Sequence, residues 1–109
     1  MAPARLRMTI PTQRVLHALL SDRGRERYGL EIGEAAELRS GTVHPILARL
    51  EGVGWLQSRW EDIDPRVEGR PPRRYYRLTA EGARAAQASL ARAYRPSPAR
   101  RLRPQVGEA

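Results

Sequence analysis

Cysteine is missing from this chain, which excludes both a disulfide framework and a thiolate metal site. Lysine is missing as well: all 20 basic residues are arginine. No apolar run approaches the roughly 20 residues that cross a bilayer. Met1 to Arg7 leads into no apolar stretch of the kind a signal peptide carries. The expectation is a cytoplasmic chain with no membrane partner. Catalytic signatures are lacking too. No nucleophile, base and orienting group stand at a recognisable spacing, and no glycine-rich phosphate loop follows a strand, so the sequence points to neither an enzyme nor a bound cofactor.

What is present fits one small domain. The 109 residues suffice for a single core and are too few for a second. The formal net charge is +8, from 20 basic and 12 acidic groups. Arginine's planar fork suits phosphate and guanine edges, so this balance fits a polyanionic partner. An all-arginine complement also follows from the base composition of a genome, and charge alone is weak evidence. Five of the arginines (Arg92, Arg95, Arg100, Arg101, Arg103) fall in the last 18 residues, where a basic tail is often only solvated.

The stretch from Ser40 to Leu56 organises the rest. Val43, Ile46, Leu47, Leu50 and Val53 recur at three- and four-residue intervals, placing them on one helical face about 120° wide. That face is core. Thr42, His44, Pro45, Ala48 and Arg49 fall on the opposite side, small near the start and cationic further along. Ser40 or Thr42 can cap the helix, and Pro45 favours Thr42, because proline is tolerated in a first turn. Gly52 and Gly54 end it, the second in a left-handed conformation.

Before this helix, residues 1–8 form a basic, flexible lead. A first helix capped by Thr12 runs to about Ser21, with Val15, Leu16, Leu19 and Leu20 as its apolar stripe. Asp22 to Arg27 is a polar turn. A second helix spans about Tyr28 to Glu37, with Leu30, Ile32 and Ala35 or Ala36 facing inward. Leu38-Arg39-Ser40-Gly41 then joins it tightly to the organising helix, the arrangement of a helix-turn-helix. After Gly54 the period alternates: Leu56, Ser58 and Trp60 point one way, Trp55, Gln57 and Arg59 the other. A second alternating run, Arg73 to Leu78, is rich in aromatic residues. Glu61 to Pro72 between them holds three prolines and a glycine, so the pair reads as a hairpin with a long tip, a wing.

Thr79-Ala80-Glu81-Gly82 opens a last helix, spanning about 80–95. Its stripe of Ala83, Ala86, Leu90, Ala93 and Tyr94 buries little area per turn, and we expect it to pack on a second copy of itself or on the first helix. Pro96, Pro98 and Pro104 stop regular structure, leaving 96–109 as a disordered basic tail. The fold class expected is mainly α with a small β-hairpin, a winged helix-turn-helix domain over 9–79 followed by one C-terminal helix.

Three ordered motifs then carry a family resemblance: Tyr28-Gly29-Leu30-Glu31-Ile32, the run Ser40 to Glu51, and Gly69 to Thr79 followed by Gly82. Together they resemble the PadR-like transcriptional regulators over about Thr9 to Gly82. The resemblance implies a winged helix-turn-helix protein that binds double-stranded DNA, homodimeric on an inverted-repeat operator, often a repressor released by a small-molecule effector. Two departures stand out. The family usually has tyrosine before the proline of the recognition helix, where this chain has His44. Larger members also carry several C-terminal helices, where this chain has one.

With the organising helix in a major groove, Thr42, His44, Pro45 and Arg49 lie on the outward arc. Thr42 suits a phosphate or a thymine methyl, His44 a base edge, and Arg49 a phosphate or a guanine. Ser40, with the N–H groups beside it, suits a phosphate. Arg70, Arg73 and Arg74 on the wing reach backbone or minor groove. Tyr28 offers either a hydroxyl to a phosphate or a ring to the core. Tyr76 shares strand parity with Leu78 and is core.

Metal readings are weaker. His44 and His17 sit on different helices, and Glu61, Asp62, Asp64 and Glu68 in the wing read as solubilising charge that limits nonspecific DNA affinity. The main alternative function is a protein-interaction module using the same fold, since fold does not decide function. Against it, an interaction helix would more often expose Leu, Met or an aromatic residue than the polar arc of this one.

Overall fold

A computed structural model of the chain describes residues 6–94. In chain order the elements are α1 (Ile10–Leu20), β1 (Arg27–Tyr28), α2 (Gly29–Ala36), α3 (Ser40–Gly52), β2 (Leu56–Trp60), α4 (Pro65–Glu68), β3 (Arg74–Leu78) and α5 (Ala80–Tyr94). The basic tail of residues 96–109 lies outside the described residues, as do the first five residues. Leu6 and Met8, in the stretch expected to be a flexible lead, lie against the core, and the Met8 carbonyl accepts from the Gln13 amide at 2.7 Å.

The three helices of the N-terminal half pack on one another through most of the stripe expected of each, Leu30 of α2 being the exception. Val15, Leu16, Ile32, Val43, Leu47 and Leu50 are fully buried, with Leu19, Ala36 and Ile46 beside them. Two details of the helix starts differ from expectation. Thr9, not Thr12, caps α1, its hydroxyl accepting from the Thr12 N–H at 3.2 Å, while Thr12 itself is buried with its hydroxyl bonded to that of Thr9. Nor does Ser40 or Thr42 cap α3. Its N-cap is Arg39, which offers no side-chain oxygen, so the N–H groups of Thr42 and Val43 share the Arg39 carbonyl.

The end of α3 follows the sequence closely. Gly54 stands at φ 81°, its N–H bonds the Glu51 carbonyl, and the Trp55 N–H reaches back to Leu50 at 2.9 Å. That pair of bonds is the Schellman closure, which satisfies carbonyls a helix end would otherwise leave open.

The hairpin is in fact part of a three-stranded antiparallel sheet in the order β1-β3-β2. β3 is central, pairing Leu78 with Leu56 and Arg74 with Trp60 on one side, and Arg27 and Tyr28 with Tyr76 and Tyr75 on the other. β1 has two residues, too few to show a period. It is held from within as well: Arg27 is buried and donates to the Ala18 carbonyl at 2.9 Å, supplying a cation at the C-terminal end of α1. Tyr76 and Leu78 are buried, as strand parity requires. The wing tip is not wholly irregular, because Asp64 caps the short α4 by accepting from the Arg66 N–H at 3.0 Å.

Thr79 joins wing to last helix. Its hydroxyl accepts from the Gly82 N–H at 2.8 Å and its own N–H bonds the Trp55 carbonyl at 3.0 Å. This draws the start of α5 so close to the backbone before β2 that a Cβ on Gly82 would stand 2.1 Å from the Trp55 carbonyl oxygen. Of the two packing partners considered for α5, the first helix is observed: α5 lies against α1 and β3, and Ala83, Ala86 and Leu90 join the common core.

Candidate nucleic-acid interface

From Ser40 to Leu50, α3 divides into a buried face and an exposed one. Val43, Ile46, Leu47 and Leu50 are buried, while Ser40, Thr42, His44, Pro45, Ala48 and Arg49 are exposed. The arc that carries the polar residues is therefore not covered by the chain's own described atoms. Its start is electropositive, since the first N–H groups of a helix and its dipole both favour an anion, and no carboxylate stands in the first turn. Arg49 forms no ion pair with a carboxylate among the described residues.

The wing arginines are arranged differently. Arg70 makes two bonds to the Glu61 carboxylate, at 2.7 and 3.0 Å. That hydrogen bonding, with help from the Arg73 N–H, lowers the Glu61 pKa to about 2 and raises that of Arg70. Arg74 is held inward too, donating to Ser58 at 3.0 Å and to Glu51 at 3.3 Å, so that it bolts β3 to β2 and to the end of α3. Arg73 keeps its charge unpaired by carboxylate among the described residues and stacks on the Tyr28 ring, 4.4 Å from the centroid. Of the three wing arginines expected to reach outward, Arg70 and Arg74 are held by acidic neighbours that appear only when the hairpin closes, and Arg73, half-buried on the Tyr28 ring, is the one with no such partner among the described residues.

Tyr28 sits between its two readings. Half-buried at the N-cap of α2, its ring meets Tyr75 edge-on at 5.7 Å, and its N–H bonds the Glu31 carboxylate at 3.2 Å. The ring is packed by neighbours on the sheet, outside the main core cluster. His44 lies against the adjoining Gly29: a methyl added there would approach the His44 Cε1 to 2.9 Å. The start of α2 and the middle of α3 therefore share one surface with the base of the wing.

The helix pair, sheet and wing can be set beside known proteins. The model of the Transcriptional regulator PadR-like family matches residues 15–88, well over half of the chain. The chain belongs to the PadR-like family.

Solved structures agree with this PadR-like assignment in fold. A PadR family transcription regulator from Clostridium difficile R20291 superposes with a TM-score of 0.59 at 22% identity, covering 77% of this chain and 86% of that one. The smu.1704 protein of Streptococcus mutans UA159 gives 0.58 at 20% identity, with 82% of each chain covered. Overoxidized AbfR bound to DNA gives 0.59 at 26% identity, over 77% of this chain and 56% of that one. No match was found among curated proteins.

Several residues of this PadR-like surface escaped the sequence reading. Leu30 was expected inward and is 59% exposed, and Trp60, with the parity of the core-facing Leu56, is 61% exposed. Leu30 is the second residue of α2 and Trp60 the last of β2, so each stands at an element's end, where period no longer means burial. Arg39 is exposed immediately before α3, and Arg66 is exposed on the wing tip. Their positions relative to α3 and α4 depend on where those helices begin, the feature that a sequence fixes least well.

Proposed function

We propose that this PadR-like chain binds double-stranded DNA as a transcriptional regulator, laying the exposed arc of α3 in the major groove. The single observation that carries this is the partition of α3: every large apolar side chain between Val43 and Leu50 is buried, and every polar one is free of internal partners of opposite charge. In this reading Ser40 and the open N–H groups beside it take a phosphate, Thr42, His44 and Pro45 meet base edges, and Arg49 takes a phosphate or a guanine. Arg73 with Tyr28 beneath it takes the adjoining backbone. Arg70 and Arg74 position the wing through their carboxylate partners, acting on DNA less directly.

We further place the chain as a homodimer on an inverted-repeat operator, acting as a repressor in the manner the family resemblance implies. The inner stripe of α5 is occupied by its own domain, so the second copy is assigned to the outer side, where Ala88 and Ala91 are exposed. A doubled mass at micromolar concentration is expected, and a monomeric mass overturns the dimer. DNA binding is tested by measuring affinity for duplex DNA against salt concentration. Affinity should fall steeply as salt rises, and Arg49→Ala should reduce both affinity and salt dependence. Absence of duplex affinity at low salt would leave the protein-interaction module as the better account.

A further inference from the structure

One groove on this surface has apolar walls, Leu30 and Trp60, that the DNA-binding reading leaves without a role. It has a volume of about 290 Å³ and is lined by Tyr28, Leu30, His44, Trp60, Arg73 and Arg74. Two of its walls are large apolar groups that the fold leaves in water, Leu30 at 59% and Trp60 at 61% exposure. Two such groups in one groove mark a binding surface more than either would alone. The remaining walls include two guanidiniums, Arg73 and Arg74, beside Tyr28 and His44, and no carboxylate belongs to the lining. Trp60 is also held in place. Arg74 stands 5.4 Å from its ring centroid, while Ser58 and Glu51 fix that guanidinium from behind.

We propose that this groove grips the sugar–phosphate backbone of one DNA strand, with Trp60 and Leu30 packing on deoxyribose and Arg73 bonding the adjacent phosphate. The inference rests on the DNA-binding reading above and deepens it. The occupant follows from the walls: a ligand with an anionic edge and an apolar face, repeating along a surface continuous with α3, since His44 lines the groove and also lies on the outward arc of that helix. Deoxyribose next to phosphate has that pairing, and an acidic or apolar protein segment offers only one half of it. The clamp on Arg74 means that the indole loses little freedom when it is covered.

The test uses the full chain and a mixed-sequence duplex at low salt. Trp60→Ala should weaken duplex binding about tenfold while leaving the slope of affinity against salt unchanged, because it removes no phosphate contact. Arg73→Ala should flatten that slope by about one. The emission of Trp60, taken as the difference between wild type and Trp60→Phe, should lose its access to acrylamide when the duplex is added. Trp60→Ala should melt at the wild-type temperature, so that lost binding is not lost folding. If Trp60→Ala binds the duplex as tightly as wild type, the groove assignment is overturned and the DNA reading stands. If wild type itself binds no duplex, both fall. If the same sequence as a single strand protects Trp60 better than the duplex does, base stacking replaces backbone packing and the assignment is likewise overturned.

Discussion

Helix α3 and the wing carry cations of the same chemical kind in different circumstances. On α3, Arg49 is exposed and unpaired with any carboxylate among the described residues. On the wing, Arg70 is tied to Glu61 and Arg74 to Glu51 and Ser58. The lesson is that an arginine count does not measure a DNA-binding surface. A guanidinium already bonded to a carboxylate must give up a charge-assisted bond to take a phosphate, so an unpaired arginine can take one at lower cost than a paired one.

The sharpest contrast lies within α3 itself. Leu47→Ala should cost about 2–5 kcal/mol of folding stability, since Leu47 is fully buried among three helices. Arg49→Ala, two positions along on the other face, should change stability by less than about 0.5 kcal/mol and should weaken duplex binding by about 1–3 kcal/mol. Thermal melts and duplex titrations on the two variants measure both quantities. Equal stability losses would mean that α3 is buried on both sides.

A second comparison sets Arg73 against Arg70. Arg73→Ala should reduce duplex affinity more than Arg70→Ala, and only Arg73→Ala should lower the salt slope by about one. Arg70→Ala should instead loosen the wing tip, read as faster amide exchange at Arg73, whose N–H bonds the same Glu61 carboxylate at 3.2 Å. The reverse ranking would mean that the Arg70–Glu61 pair opens on DNA.

The arc at the start of α3 adds a third, finer contrast. Thr42→Ala or His44→Ala should change which sequence is preferred more than it changes affinity for mixed-sequence DNA, as parallel titrations of several duplexes would reveal. Equal losses on every sequence would remove base readout from this part of the helix.

The smallest effect concerns pH. Hydrogen bonding to Arg70 holds the Glu61 pKa at about 2, below its ordinary 4.5. A carboxylate whose pKa is depressed by folding contributes stability above the unfolded value and loses it as pH falls toward the folded one. The wing should therefore keep its order from neutral pH down to about 4.5 and loosen progressively toward about 2. Carboxyl titration of Glu61 by NMR checks this, and a midpoint near 4.5 would mean that the pair does not persist in solution.

Much of this architecture was legible in residue order because it depends on local rules. The stripe of α3, its left-handed closure at Gly54, the burial of Tyr76 and the opening of α5 at Thr79 each follow from period or capping chemistry. What was not legible arises from contacts distant in sequence. β1 exists because β3 offers it an edge, Gly82 is required because Trp55 lies against it, and the wing arginines acquire carboxylates 9 and 23 residues away. Thr9 displaced Thr12 as a cap because two threonines one turn apart offer the same hydroxyl, and packing chose the earlier one. The outward arc of the candidate site was readable from period, and the apolar half of the groove beside it was not, because Trp60 keeps core parity beyond the reach of the core.

The most direct test is residue-by-residue mapping of the isotope-labelled chain as a duplex is added. The account predicts that amide shifts concentrate at Ser40 to Arg49, with a second group at Arg73 and Trp60, while the exposed residues of α1 and α5 stay still. Shifts confined to α1 and α5, with the outward arc of α3 unperturbed, would contradict it.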